Sequence, residues 1–168
     1  MANIIITLPR NLWLAIKSGI KSVEVRKSTP KVTLGVSKVY VVEKGTTKVV
    51  GCFTLDRVGT CSNAAFAWEW FGKQTFVELE WFNNYLKNCK RGIHAWFIRC
   101  VWSFDDTVDL KEYFGVQHNP QSYIYTDKEP FIQMTLVKVL DNKTGKLISP
   151  STYIKLYSEF DLDIQKTI

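Results

Sequence analysis

The chain reads as an α+β domain in which many short strands curl into a mixed β-barrel, flanked by helices and broken by one helical insertion. Three observations predict this. β-Branched runs recur along the chain, bounded by Gly, Pro and Asn turns. An amphipathic helix follows the first run. An aromatic-rich stretch, residues 62–92, carries helical spacing between two long strand runs. With 168 residues the chain makes one domain. Folding at this length buries roughly 70% of the unfolded surface, so no disulfide or metal staple is required.

Each element has a local reason. NIIITL (3–8) is a β-branched strand, and Pro9 suits the first turn of a helix. The helix runs to Ser18, with Leu12, Trp13 and Ile16 on one face and Gly19 as its stop. KSVEVRKS is a strand ended by Thr29-Pro30. VSKVYVVEK (36–44) and TKVVGCFTLDRVGTC (47–61) form a hairpin across Gly45-Thr46, and Gly51 marks a bulge or bend. NAAFAWEWF (63–71) and TFVELEWFNNYLKN (75–88) read as helices separated by Gly72. HAWFIRCVWSF (94–104) is a strand, and DLKEYFG (109–115) a short helix stopped by Gly115; Asp105, Asp106 and Asp109 read as capping that helix, with Thr107 and Asp109 in its first turn, rather than as a divalent-cation site. PQSYIYT (120–126) is a loop entering a short extended piece. FIQMTLVKVLD (131–141) and KLISP (146–150) form a final hairpin, and residues 151–168 either cap the fold or fray. The segment 141–168 reads as a C-terminal extension.

Charge and cysteine usage narrow the function classes. Net charge is +6, and it is uneven: residues 1–50 hold nine Lys/Arg against Glu24 and Glu43, whereas 101–168 hold seven basic against ten acidic residues. A basic first third favours an anionic partner such as nucleic acid or a nucleotide, or simply serves solubility. Cys52, Cys61, Cys89 and Cys100 form no C-x-x-C pair, and only His94 and His118 stand by to assist them. No metal site, cofactor or disulfide framework is expected, and the compartment reads as reducing. No P-loop or dinucleotide fingerprint occurs. The first strand lacks the basic flank of a signal peptide, and no apolar run reaches membrane-spanning length, so a cytoplasmic protein without membrane contact is expected.

Residues 19–27, GIKSVEVRK, hold the strongest candidate site. Alternation puts Val23 and Val25 on one face, expected in the core, and Glu24 and Arg26 on the other, expected outside it as an ion pair. Lys21 stands at the strand's entrance. Arg offers planar bidentate contact with phosphate or a base edge, Lys a point charge, and Glu an acceptor for an amino group. A solvated strand face with a weak ion pair has the same pattern. In PQSYIY, Gln121 and Ser122 offer short polar groups, although a turn with inward-packed tyrosines fits equally. Trp68, Trp70, Trp81, Phe66, Phe71 and Phe82 crowd the insertion and read first as its seal on the barrel; Trp70 and Trp81 alternatively stack bases, or the group forms an apolar patch for a protein partner.

Gly19, Lys21, Glu24 and Arg26 spell Gly-x-Lys-x-x-Glu-x-Arg after the first helix. With VVGCFTLDRV and HAWFIRCVWSFDDTVDLKEYF running into NPQSYIYT, residues 5–126 resemble the ASCH family of PUA-like domains. The resemblance implies a PUA-like β-barrel whose cleft, beside the first helix, accepts RNA, a modified nucleoside or a nucleotide. Lys21, Glu24, Arg26, Gln121 and Ser122 would surround it. Some relatives are acetylcytidine amidohydrolases using a Lys, a Thr and a Glu; Lys21 matches that Lys, and Glu24 stands at the Thr position. Other relatives are described as ribonucleases. Three functions follow as expectations: an RNA- or nucleotide-binding module; a hydrolase of a modified nucleoside or RNA, with Lys21 and Glu24 catalytic; or an accessory factor binding a protein through the Trp70/Trp81 region.

Overall fold

The computed structural model describes residues 2–87, 89 and 91–167, with side chains described as far as Ser158. The chain alternates strands and helices in the order β1 (Asn3–Leu8), α1 (Arg10–Ser18), β2 (Val23–Arg26), β3 (Val39–Glu43) and β4 (Lys48–Cys61). There follow α2 (Ala64–Phe71), a 3-10 turn (Gly72–Thr75), α3 (Leu79–Tyr85), β5 (Ile93–Asp109) and α4 (Leu110–Phe114). β6 (Tyr123–Thr126), β7 (Met134–Asp141), β8 (Lys146–Ile148) and α5 (Pro150–Thr167) complete it. The C-terminal segment is therefore helical rather than frayed in its backbone. Tyr157 in its third turn donates to Asp141 Oδ1 at 2.7 Å, which fastens α5 to the end of β7.

The eight strands form one mixed sheet in the order β6–β1–β3–β4–β5–β7–β8, with β2 also paired to β5. Only β1–β3 is parallel. β4 takes one edge of β5 along its length, so β2 (against His94–Phe97) and β7 (against Cys100–Phe104) share the other. Register shifts at Val49/Gly51 and twice more along β4–β5 bend this pair. The bend expected at Gly51 falls there for a steric reason. A Cβ on Gly51 would stand 2.4 Å from both the Trp13 ring and the Trp102 carbonyl oxygen.

Closure into a barrel, expected from the sequence, is not made by backbone pairing. The ladder from β6 through β5 to β2 leaves β2 and β6 unpaired with each other. Side chains span the seam instead. Arg26 Nη1 donates to Ser122 O at 3.0 Å, Ser28 Oγ donates to Tyr123 Oη at 3.2 Å, and Lys31 N donates to Tyr125 Oη at 2.8 Å.

The main core joins β1, β3, β4 and β5 to α1, which inserts Trp13 and Ile16. Burying Trp13 stabilises the fold by roughly 2–3 kcal/mol. Gly19 ends α1 at φ +85°, where its N–H bonds Ile16 O and the chain turns directly into Lys21. A second core lies under the helical segment formed by α2, the 3-10 turn and α3, where Ala67, Phe71, Phe82 and Leu86 pack on Val23, Val25 and Ala95.

Candidate functional site

Every residue of β2 is buried, the charged ones included: Glu24 is 6% and Arg26 7% exposed, and Lys21 just before them is 1% exposed. The expected surface ion pair is thus a buried one. The reason is the second core. Val23 and Val25 pack beneath α2 and α3 rather than in the main core. Glu24 pairs in register with Trp96, a main-core residue, and Arg26 lies with its guanidinium 5.8 Å from the Trp96 ring centroid. Alternation holds, but both faces of the strand are covered.

Three charges meet at this strand. Lys21 Nζ donates to Val23 O and to Thr75 O, both at 2.7 Å, and lies 3.9 Å from Glu24 Oε1. Glu24 Oε1 accepts from Val25 N at 3.0 Å and lies 3.8 Å from Arg26 Nε. Arg26 reaches across to the carbonyls of Ser122 and Thr7 at 3.0 and 3.5 Å. Glu24 Oε2 and Arg26 Nε are left without a hydrogen-bond partner. Unpaired polar atoms at such depth are uncommon and mark a strained, wet or ligand-binding place. Burial pushes the Lys21 ammonium below its ordinary pKa; Glu24 opposes that shift and Arg26 adds to it. Burial raises the Tyr85 phenol, with Arg26 lowering it and Glu24 raising it.

Beside this cluster opens a cleft of about 1380 Å³, running between the β1–α1 junction, β2, the helical segment and the 119–121 loop. Glu24, Arg26 and Gln121 line it. Lys21 and Ser122 do not. Lys21 lies behind the strand, tying it to the 3-10 turn, and Ser122 contributes its backbone carbonyl to Arg26. One wall is aromatic: Trp81 and Tyr85 stack with centroids 4.8 Å apart and planes 8° from parallel, and Trp81 is 47% exposed. Lys27 Nζ covers Tyr85 at 4.9 Å from its centroid. The exposed Lys44 and Lys73 stand on the rim.

Sequence reasoning passed over Tyr85, Lys44, Lys73 and Asn119. Tyr85 had a signal, since it stands four residues after Trp81 and so shares its helix face. The rim lysines had none, because their loops become neighbours only through the sheet. Of the aromatic residues expected to seal the insertion, Phe71 and Phe82 do so, with Trp68 packed against them, whereas Trp70 and Trp81 are more than two-fifths exposed. Trp70 lies outside this cleft. Asp109 caps α4, accepting from Glu112 N at 3.0 Å.

No family model and no curated protein matches the chain. Solved structures do. The ASCH protein from Zymomonas mobilis superposes with a TM-score of 0.66 at 22% identity, covering 75% of this chain and 88% of that one. A point variant of that protein gives the same TM-score and share of this chain at 22% identity, covering 91% of its own. The fold is that of an ASCH domain. No helix among the described residues is long and apolar enough to cross a membrane.

Proposed function

We propose that this chain, with its ASCH fold, is an RNA- or nucleotide-binding module whose ligand enters the cleft beside α1. One observation carries the reading. Glu24 and Arg26, two cleft residues, each retain an unpartnered polar atom next to a stacked aromatic pair. A base stacked on the exposed Trp81, which Tyr85 backs, presents its edge to a carboxylate and a guanidinium, while Lys44 and Lys73 serve a backbone phosphate. Gln121 adds an amide to the loop side of the same cleft.

Titration of fluorescent single-stranded RNA at several salt concentrations tests it. Affinity falls as salt rises, because phosphate neutralisation releases counterions. Trp81→Ala, at an exposed position, weakens binding by about 10-fold or more with an unchanged circular dichroism spectrum. RNA affinity indifferent to salt and to Trp81 would sink the proposal.

A second reading rests on Glu24 itself. A carboxylate this deeply buried beside a cleft suits a general base or an orienting group for hydrolysis of a modified nucleoside. Lys21, whose ammonium is committed to two carbonyls, then acts through Glu24 rather than on the substrate. A panel of acylated nucleosides decides it: turnover by the wild type and its loss in Glu24→Gln at unchanged melting temperature support hydrolysis, and absence of turnover on every substrate removes it.

A further inference from the structure

A second, smaller cleft of about 370 Å³ lies on the other side of β2 and the 3-10 turn. The turn gives Lys73 to the first cleft and Gln74 to this one; the strand region gives Glu24 to the first and Ser22 to this one. The two clefts share a wall but no lining residue.

The second cleft is built around an aromatic and cationic corner. Arg57 lies with its guanidinium 4.2 Å from the centroid of Phe97. Trp70 meets the same ring at 5.9 Å and 43°. Trp70 is held in place: it packs on Phe71 at 5.3 Å and sits over Gly59, where a Cβ would come within 2.8 Å of its ring. Yet it stays 43% exposed. An indole fixed by its neighbours and still open to solvent offers a flat surface whose ordering is complete before any ligand arrives. Around it stand Asp56, Gln74 and Asn142. No side-chain hydrogen bond or ion pair within the described residues engages these three or Arg57. Their donors and acceptors are therefore available to a ligand.

We propose that this cleft is a second binding site, taking a planar nitrogen heterocycle of the nucleobase or nucleoside class. The volume suits one such group. Trp70 supplies the stacking surface, and the Arg57 guanidinium, laid over Phe97, a cationic face for the same ring. The two amides each offer a donor and an acceptor, which match a base edge. Asp56 offsets the Arg57 charge, so the site recognises the heterocycle rather than a phosphate. The proposal stands independently of the reading given to the first cleft.

Titrating adenosine, cytidine, guanosine and uridine into ¹⁵N-labelled protein tests it. The expected result is saturable shifts of the Trp70 indole N–H and of the Gln74 and Asn142 side-chain amides at millimolar nucleoside. Arg57→Ala weakens that binding about 10-fold, and Asn142→Ala several-fold, while Trp81→Ala leaves it unchanged. Both variants lie on the exposed surface and keep the fold. Shifts confined to the Trp81 cleft, or no saturable shift at Trp70 with any of the four nucleosides, overturn the proposal. Loss of the Trp81 response with the Trp70 response retained would remove only the first cleft's reading.

Discussion

The two clefts flanking β2 use similar residue types in opposite ways. In the larger one Glu24 and Arg26 are buried and held to each other, Glu24 accepting from Val25 N and Arg26 donating to backbone carbonyls, with Lys21 supporting them from behind. In the smaller one Arg57 and Asn142 are exposed, and their side chains engage no polar partner among the described residues. The difference is one of coupling. Charges buried beside a site stabilise its shape and its chemistry together, so altering one alters both. Exposed charges can be removed with little effect on the fold. Mutagenesis at the first cleft therefore needs a stability measurement beside every binding measurement, and at the second it does not.

The largest effect that separates the two sides is expected at Lys21. Lys21→Met leaves two carbonyls without their donor and the Glu24 carboxylate with Arg26 as its remaining cation, and urea denaturation should show a loss of about 3–5 kcal/mol. Limited proteolysis should cut first in the helical segment, whose tie at Thr75 is gone. A loss below about 1 kcal/mol would erase the contrast drawn here. Glu24→Gln comes next. It keeps an acceptor for Val25 N but removes the charge between Lys21 and Arg26, at about 1.5–3 kcal/mol.

The pH dependence of Lys21 sharpens the same point. Its pKa in the folded chain lies below the ordinary 10.5, so the unfolded chain holds the proton more tightly. Between the two values the unfolded state binds more protons, and the stability of the wild type relative to Lys21→Met should rise with pH toward 10.5. A flat difference across pH 7–10.5 would mean that burial does not perturb this amine. On the other side of the strand effects should be small. Gly59→Ala pushes only the edge of the Trp70 ring, and thermal melting should register no more than about 1 kcal/mol while nucleoside shifts at Trp70 disappear. Arg57→Ala should stay within about 0.5 kcal/mol of the wild type, its effect confined to binding.

What the sequence made legible was local. β-Branched runs and the stops at Gly19 and Gly115 located strands and helices, because those signals reside in consecutive residues. The six-residue stretch holding Lys21, Glu24 and Arg26 was legible as a constellation for the same reason. Its burial was not. Alternation says which side chains share a face, never what covers that face, and the cover over Val23 and Val25 comes from Phe71 and Phe82, about fifty residues on in the chain. The same limit concealed the second cleft, which brings Arg57 of β4, Trp70 of α2 and Asn142 after β7 to one place. The barrel expectation exceeded the facts because strand count alone does not say whether the last edges pair.

That unpaired seam gives the molecule a clasp rather than a weld. Between β2 and β6 no backbone ladder must be unzipped for the sheet to part; what holds it are the bonds of Arg26 to Ser122 and Thr7, those of the two tyrosine hydroxyls, and the Tyr123 ring against Trp96. Parting there leaves the pairings of β3, β4 and β5 intact, so hydrogen exchange should be faster at β6 and at residues 27–38 than along β4 and β5. Arg26 is both a tooth of that clasp and part of the floor of the larger cleft. A ligand that grips its guanidinium therefore also locks or springs the seam, and the exchange rate of β6 becomes a remote gauge of occupancy.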